Sequence, residues 1–108
     1  MIVVGDTAYD SGLFNATVGG YDAFITKFNS VTGKMIFGVI AGTSSSDTYY
    51  CVATDSDNDI FVGGVSNGPL FGPNIYSGSE FVVAKYDGSS GANLWGIQVF
   101  NFHFNVFS

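Results

Sequence analysis

The stretch Asp22-Ala23-Phe24-Ile25-Thr26-Lys27-Phe28-Asn29-Ser30-Val31-Thr32-Gly33 returns 58 residues later as Glu80-Phe81-Val82-Val83-Ala84-Lys85-Tyr86-Asp87-Gly88-Ser89-Ser90-Gly91. Working outward, residues 2–41 align with residues 60–99 without a gap. Ile2, Val4, Gly5, Gly20, Lys27, Gly33 and Gly38 recur as Ile60, Val62, Gly63, Gly78, Lys85, Gly91 and Gly96. Between them lie conservative exchanges such as Ile36/Leu94, Phe37/Trp95 and Val39/Ile97. Similarity at a fixed period marks units that cannot bury their apolar faces alone and so stack on one another. The 108 residues hold less than two such periods.

Within the repeated stretch, Phe24, Thr26 and Phe28 alternate with Ala23, Ile25 and Lys27, as in a strand whose two faces differ. The same reading predicts strands at Ile2–Gly5, Lys34–Ala41, Thr48–Thr54, Asp59–Val65, Glu80–Asp87 and Asn93–Val99, each bounded by turn residues. No window carries an apolar stripe of helical spacing, so no helix is expected. Two longer loops, Ala8–Gly19 and Ser66–Ser79, hold matching places. Each carries a Leu-Phe pair, Leu13-Phe14 and Leu70-Phe71, that would serve as a buried anchor. One period thus predicts four antiparallel strands with glycine turns, the pattern of a β-propeller blade. The expected fold is all-β: antiparallel four-stranded propeller blades, just under two repeats, cut from a larger propeller. Residues 1–98 form a partial propeller with units of about 2–59 and 60–98, and residues 99–108 are a divergent apolar tail.

Composition narrows the function. The chain is 46% hydrophobic, 17% aromatic and only 11% charged, which excludes a disordered chain. Nine acidic residues against three lysines give a net charge of −6, which repels phosphate backbones and anionic membranes. No run reaches membrane-spanning length, and the N-terminus does not read as a secretory signal peptide. Met1 falls inside a repeat unit rather than before one. The single cysteine, Cys51, allows no internal disulfide, and its apolar neighbours predict a buried thiol.

Asp22 to Asn29, then Gly33, Phe37, Gly42 and Asp47, then Ala53-Thr54-Asp55-Ser56-Asp57-Asn58-Asp59-Ile60-Phe61-Val62-Gly63-Gly64, resemble the bacterial β-propeller repeat called the SBBP repeat. The second copy, Glu80 to Trp95, resembles it too. The resemblance implies a large multi-blade scaffold, extracellular or on the cell surface, with no catalytic activity common to the family. The turns Asn29 to Phe37 and Asp87 to Trp95 are also similar to the tryptophan-docking motif of quinoprotein propellers, in which an aromatic of one blade docks on the next. That similarity implies an alternative function: a fragment of an enzyme using pyrroloquinoline quinone.

Candidate chemistry is sparse. Asp55, Asp57 and Asp59 stand two apart in a turn and could converge on Ca²⁺. Ile60 and Ser66 occupy the places where a helix–loop–helix calcium site has Gly and Glu, and Asp and Asn form such turns unaided. Lys27 and Lys85 recur at equivalent positions, which points to a structural ion pair rather than catalysis. Asp22 and Glu80 read as residues that open a strand. His103 has no companion ligand, Gly19-Gly20 and Gly63-Gly64 are not phosphate loops, and Asn15-Ala16-Thr17 matches a glycosylation acceptor. From residue 99 the second copy departs from the first. Phe100, Phe102, Phe104 and Val106 alternate with polar residues, as an added strand or as sequence appended where the repeat was cut. The function expected is a non-catalytic scaffold or binding module of a larger surface or secreted protein. Its partners would be neighbouring blades, a second copy through open strand edges, or a protein or carbohydrate ligand.

Overall fold

In the computed structural model, residues 1–8, 21–72 and 79–99 are described. They form seven strands: β1 (Ile2–Ala8), β2 (Tyr21–Phe28), β3 (Met35–Ala41), β4 (Asp47–Thr54), β5 (Ile60–Ser66), β6 (Glu80–Tyr86) and β7 (Asn93–Val99). No helix occurs among the described residues. The strands build two antiparallel sheets, ordered β1-β2-β3 and β4-β5-β6-β7. The chain is therefore all-β. Each predicted strand is present, most of them to within a residue or two at each end. The Leu13-Phe14 pair, the glycosylation triplet, Gly19-Gly20, His103 and the tail from Phe100 onward lie outside the described residues.

The sheets pack face to face. Ala23, Ile25 and Lys27 of β2 share a face with their register partners Asp6, Val4 and Ile2 of β1 and Ala41, Val39 and Phe37 of β3. The apolar members of that set meet Tyr49, Ile60, Val62, Val82, Ala84 and Tyr86 of the larger sheet. Burying such side chains is worth about 1.5–3 kcal/mol each, so this contact dominates the energetics of the pair. Leu70 and Phe71 pack against the same core as its anchor from the loop after β5.

Two hairpin turns, 58 residues apart, are built alike. Asn29 Oδ1 accepts from the N–H groups of Val31 and Thr32 at 2.9 and 3.0 Å, and Asp87 Oδ1 accepts from those of Ser89 and Ser90 at 2.7 and 3.3 Å. Gly33 donates to the Asn29 carbonyl and Gly91 to that of Asp87, with φ of 74° and 80°. Glycine adopts that backbone at no steric cost. Each turn is preceded by a register shift, at Lys27/Phe28 and at Lys85/Tyr86.

The equivalence stops at β5. Gly5 pairs with Phe24, whereas Gly63 pairs with Val83, one place along from the equivalent residue. A one-residue slip turns every side chain of a strand to the other face. Ile2 and Val4 consequently face the larger sheet, while Ile60 and Val62 face back toward the smaller one. A second irregularity, between Tyr49 and Cys51, flips β4 midway. Tyr49 is buried, and Cys51 turns outward and is exposed. This corrects the expectation of a buried thiol: without the bulge, Cys51 would share the face of Tyr49. Gly64 sits opposite the bulge, where a Cβ would meet the Thr48 carbonyl and the Tyr49 Cα.

The glycines yield a graded test. A Cβ at Gly33 meets nothing within 4 Å, whereas one at Gly91 would lie 2.8 Å from the Phe37 ring. Gly33→Ala should cost about 1–2 kcal/mol from backbone strain alone. Gly91→Ala should cost about 1–3 kcal/mol more through overpacking, and Gly64→Ala, which carries no positive φ, about 1–3 kcal/mol from its collision with the β4 backbone. Urea midpoints of the three variants check the order.

Candidate functional site

Polar side chains collect at the two ends of the sheets. At one end, the β4–β5 turn is organised by Asp55. Its Oδ1 accepts from the N–H groups of Asp57 and Asp59 at 3.0 and 2.9 Å, and Asn58 adopts a positive φ of 64° to close the turn. Asp59 Oδ1 accepts from the Gly88 N–H at 3.1 Å, which ties this turn to the β6–β7 turn. The remaining oxygens of Asp55 and Asp59 face the Lys85 ammonium at 3.6 and 3.7 Å. Lys85 also stands 5.2 Å from the centre of the Phe61 ring, which packs edge to face with Trp95.

Of the residues proposed for calcium, then, Asp55 and Asp59 converge, and what lies between them is a lysine. Asp57 is exposed and contributes its backbone N–H. Among the described residues no group of three or more His, Cys, Asp or Glu side chains is placed to hold a metal ion. Burial alone would raise the Asp55 carboxyl, but the N–H groups of Asp59 and Asp57 and the nearby Lys85 outweigh it and hold it below the usual aspartate range. Asp87 is held low by the Ser89 hydroxyl first, then by the N–H groups of Ser89 and Ser90 and by Lys27.

Lys27 behaves differently from its equivalent. Its Nζ crosses to the larger sheet and donates to the Gly88 carbonyl at 2.5 Å. The two recurring lysines are thus structural cations, one within its own sheet and one bridging to the next.

The opposite end is richer in buried polar groups than the residue pattern suggests. Asp47 is fully buried at the start of β4. Its carboxylate accepts from the Thr43 N–H at 2.8 Å, the Thr43 hydroxyl at 3.1 Å and the Ser66 hydroxyl at 2.5 Å. Ser66 in turn accepts from the Gly68 N–H at 3.1 Å. Gln98 of β7 donates to Glu80 Oε1 and to the Gly68 carbonyl, both at 2.8 Å, and accepts from the Phe71 N–H at 2.9 Å. Asp22 is buried at the start of β2 and lies against Gly42. Between the sheets, Thr48 donates to Asp6 at 2.8 Å. Every buried side-chain polar atom among the described residues has a partner, which is the condition for such a network to hold loops in place. The Ser/Thr/Asp content of residues 43–48 was the only signal in the sequence; the convergence with Ser66 and Gln98 needed the sheet register.

In the core itself, the hydroxyls of Tyr49 and Tyr86 meet at 2.7 Å, with rings edge to face at 6.3 Å. Burial raises both hydroxyls above the ordinary tyrosine value; for Tyr49 the neighbouring Tyr86 and Asp47 add to it. Shallow troughs indent the surface among the described residues. One of about 420 Å³ lies at the turn end between the sheets, lined by Met1, Lys27, Val52 and Asn58 among others. Two more lie on the outward face of the larger sheet, around Cys51, Gly63 and Val83. Among the described residues no helix is long and apolar enough to cross a membrane. No family model and no curated protein matches the chain.

Two measurements follow from this geometry. Tyr49→Phe or Tyr86→Phe should each cost about 1–2 kcal/mol by leaving the other hydroxyl unpaired, and the double variant should cost less than the sum, by about 1 kcal/mol in a double-mutant cycle. The Asp55 and Asp87 carboxyls are held low on folding, so the unfolded chain takes up protons first as pH falls. Their stabilisation is complete above the ordinary aspartate value of about 3.9 and is lost as pH drops below it. Asp87→Asn should keep its turn, as Asn29 keeps the equivalent one, and should flatten the acid limb of a stability–pH curve.

Proposed function

We propose that the chain is a non-catalytic β-propeller repeat segment, a scaffold or binding module of a larger secreted or surface protein. The observation that carries this reading is the use made of its reactive side chains. Lys27, Lys85, Asp47, Asp55, Asp59, Tyr49 and Tyr86 all hold turns, loops or the core through bonds to one another or to the backbone. A catalytic group needs a face turned to substrate and a partner that tunes it. These groups spend their hydrogen-bonding capacity on the fold. A three-stranded and a four-stranded antiparallel sheet packed face to face, with equivalent turns, support the propeller reading.

One contact favours the second reading, a quinoprotein-like fragment. Phe37, at the place of the docking tryptophan, lies against the Gly91 turn of the adjoining sheet. That is packing, and packing of this kind serves a scaffold equally well.

Titration of the purified chain with pyrroloquinoline quinone, followed by absorbance and melting temperature, should show no saturable change. Stoichiometric binding would replace the scaffold reading with the enzymatic one. Calorimetry with Ca²⁺ should show no site at Asp55 and Asp59, where the Lys85 ammonium already lies between the carboxylates.

A further inference from the structure

The larger sheet turns its second face to solvent, and the strand register sets out what that face carries. Cys51, Gly63, Val83 and Ile97 form one row across the four strands. Phe61, Lys85 and Trp95 form the next row toward the β4–β5 turn, and Val65, Phe81 and Val99 the row on the other side. The five large apolar side chains that β6 and β7 place in these rows are 40–53% exposed. Isolated apolar residues on a surface are ordinary; a contiguous set on one sheet face marks an interaction site.

The chain itself shows what kind of surface covers such a face. The equivalent residues 58 earlier, Ala23, Ile25, Phe37, Val39 and Ala41, lie on the face of the smaller sheet that packs against the larger one. A face of this pattern is met there by another sheet face. Of the sheet faces among the described residues, the two inner ones already cover each other. The outer face of the smaller sheet is closed at its centre, where Thr26 is 4% exposed. The sheet face that a second copy has to offer is therefore the outward face of its own larger sheet.

Charge points the same way. The chain carries a net −6, so two copies repel wherever their carboxylates face one another. The three rows hold one charged side chain, Lys85, and Asp55 and Asp59 of its own sheet already offset it. Two copies can approach through these rows without setting acid against acid. The turn end of the sheet carries Asp55, Asp57, Asp59 and Asp87. A two-fold axis along the strands would stack these turns on each other, whereas one across the strands sends them to opposite ends. Four strands of seven or eight residues make a face of about 24 by 19 Å, so a pair of copies buries on the order of 900 Å². That is below the size of a permanent complex, so the pair should form and separate with concentration.

We propose that the outward face of the larger sheet docks the same face of a second copy of this chain about a two-fold axis. The axis lies over the row of Cys51, Gly63, Val83 and Ile97, at right angles to the strands. Val83 then meets Val83, and Phe61 and Trp95 of each copy cover Val65, Phe81 and Val99 of the other. Lys85 stays with Asp55 and Asp59, and the contact does not call on it. The docking is isologous, so it closes at two copies. It deepens the scaffold reading and rests on it: the module's partner is its own kind, met through a face rather than a strand edge.

Sedimentation velocity of the full chain over a concentration series tests this, with emission of Trp95, the sole tryptophan, as a reporter from inside the contact. The series should saturate at the dimer while the emission shifts to the blue. Val83→Asp and Val83→Lys alter an exposed position, so each should keep the circular dichroism of the parent and weaken association about tenfold or more. The axis sets position 83 against itself, so an equimolar mixture of the two variants should recover the dimer. Val31→Asp, in the exposed β2–β3 turn, should associate as the parent does. Growth past the dimer, or a dimer that Val83→Asp leaves intact, overturns the interface. A mixture that stays monomeric overturns the placement of the axis. A parent chain that stays monomeric with unshifted emission overturns the docking and leaves the scaffold reading standing; an intact dimer that binds quinone does the reverse.

Discussion

One contact organises this molecule: a three-stranded sheet laid across a four-stranded one through a single face of each. Neither sheet has a second layer of its own among the described residues, so each supplies the other's core. A sheet with one apolar face in water is not independently stable, and the energy of the pair lies in the side chains between them. Ala23 and Ile25 from one side and Val62, Val82 and Ala84 from the other are all buried in the layer between them. The Tyr49–Tyr86 hydroxyl pair allows two polar atoms into that layer without leaving either unpartnered.

Charge is used sparingly and locally. A chain with net charge −6 and 11% charged residues has few ions to place, and it places them at strand ends. Asp55, Asp59 and Asp87 accept backbone N–H groups that would otherwise be orphaned in tight turns, and Lys85 and Lys27 offset their charge. Asp47, Thr43, Ser66, Glu80 and Gln98 do the same for the loops at the other end. Such groups determine where the chain turns, while the apolar layer determines that it folds. A side chain committed to a turn in this way is poorly placed to do chemistry, and that consideration underlies the scaffold reading.

The period of 58 residues, the strands and the absence of helix were legible in the sequence because alternation and turn residues are local properties. Asn29 and Asp87 announce their turns four residues ahead of Gly33 and Gly91, and the structure builds both turns alike. The candidate site was legible only in fragments. Asp55 and Asp59 were visible, but Lys85 is remote in sequence and reaches them only because β5 and β6 pair in register. Asp47 and Gln98 carried no signal that would join them to one end of one sheet.

What the residues determined by themselves is the inventory: seven strands, their turns, and two stretches of one pattern. Tertiary structure decided which way the strands face. The slip that pairs Gly63 with Val83 turns Ile60 and Val62 into the shared core, and the bulge after Tyr49 turns Cys51 out of it. Both choices depend on pairing register, and register is settled by which face finds another sheet to cover it. A strand's own residues specify its alternation; they do not specify its neighbour.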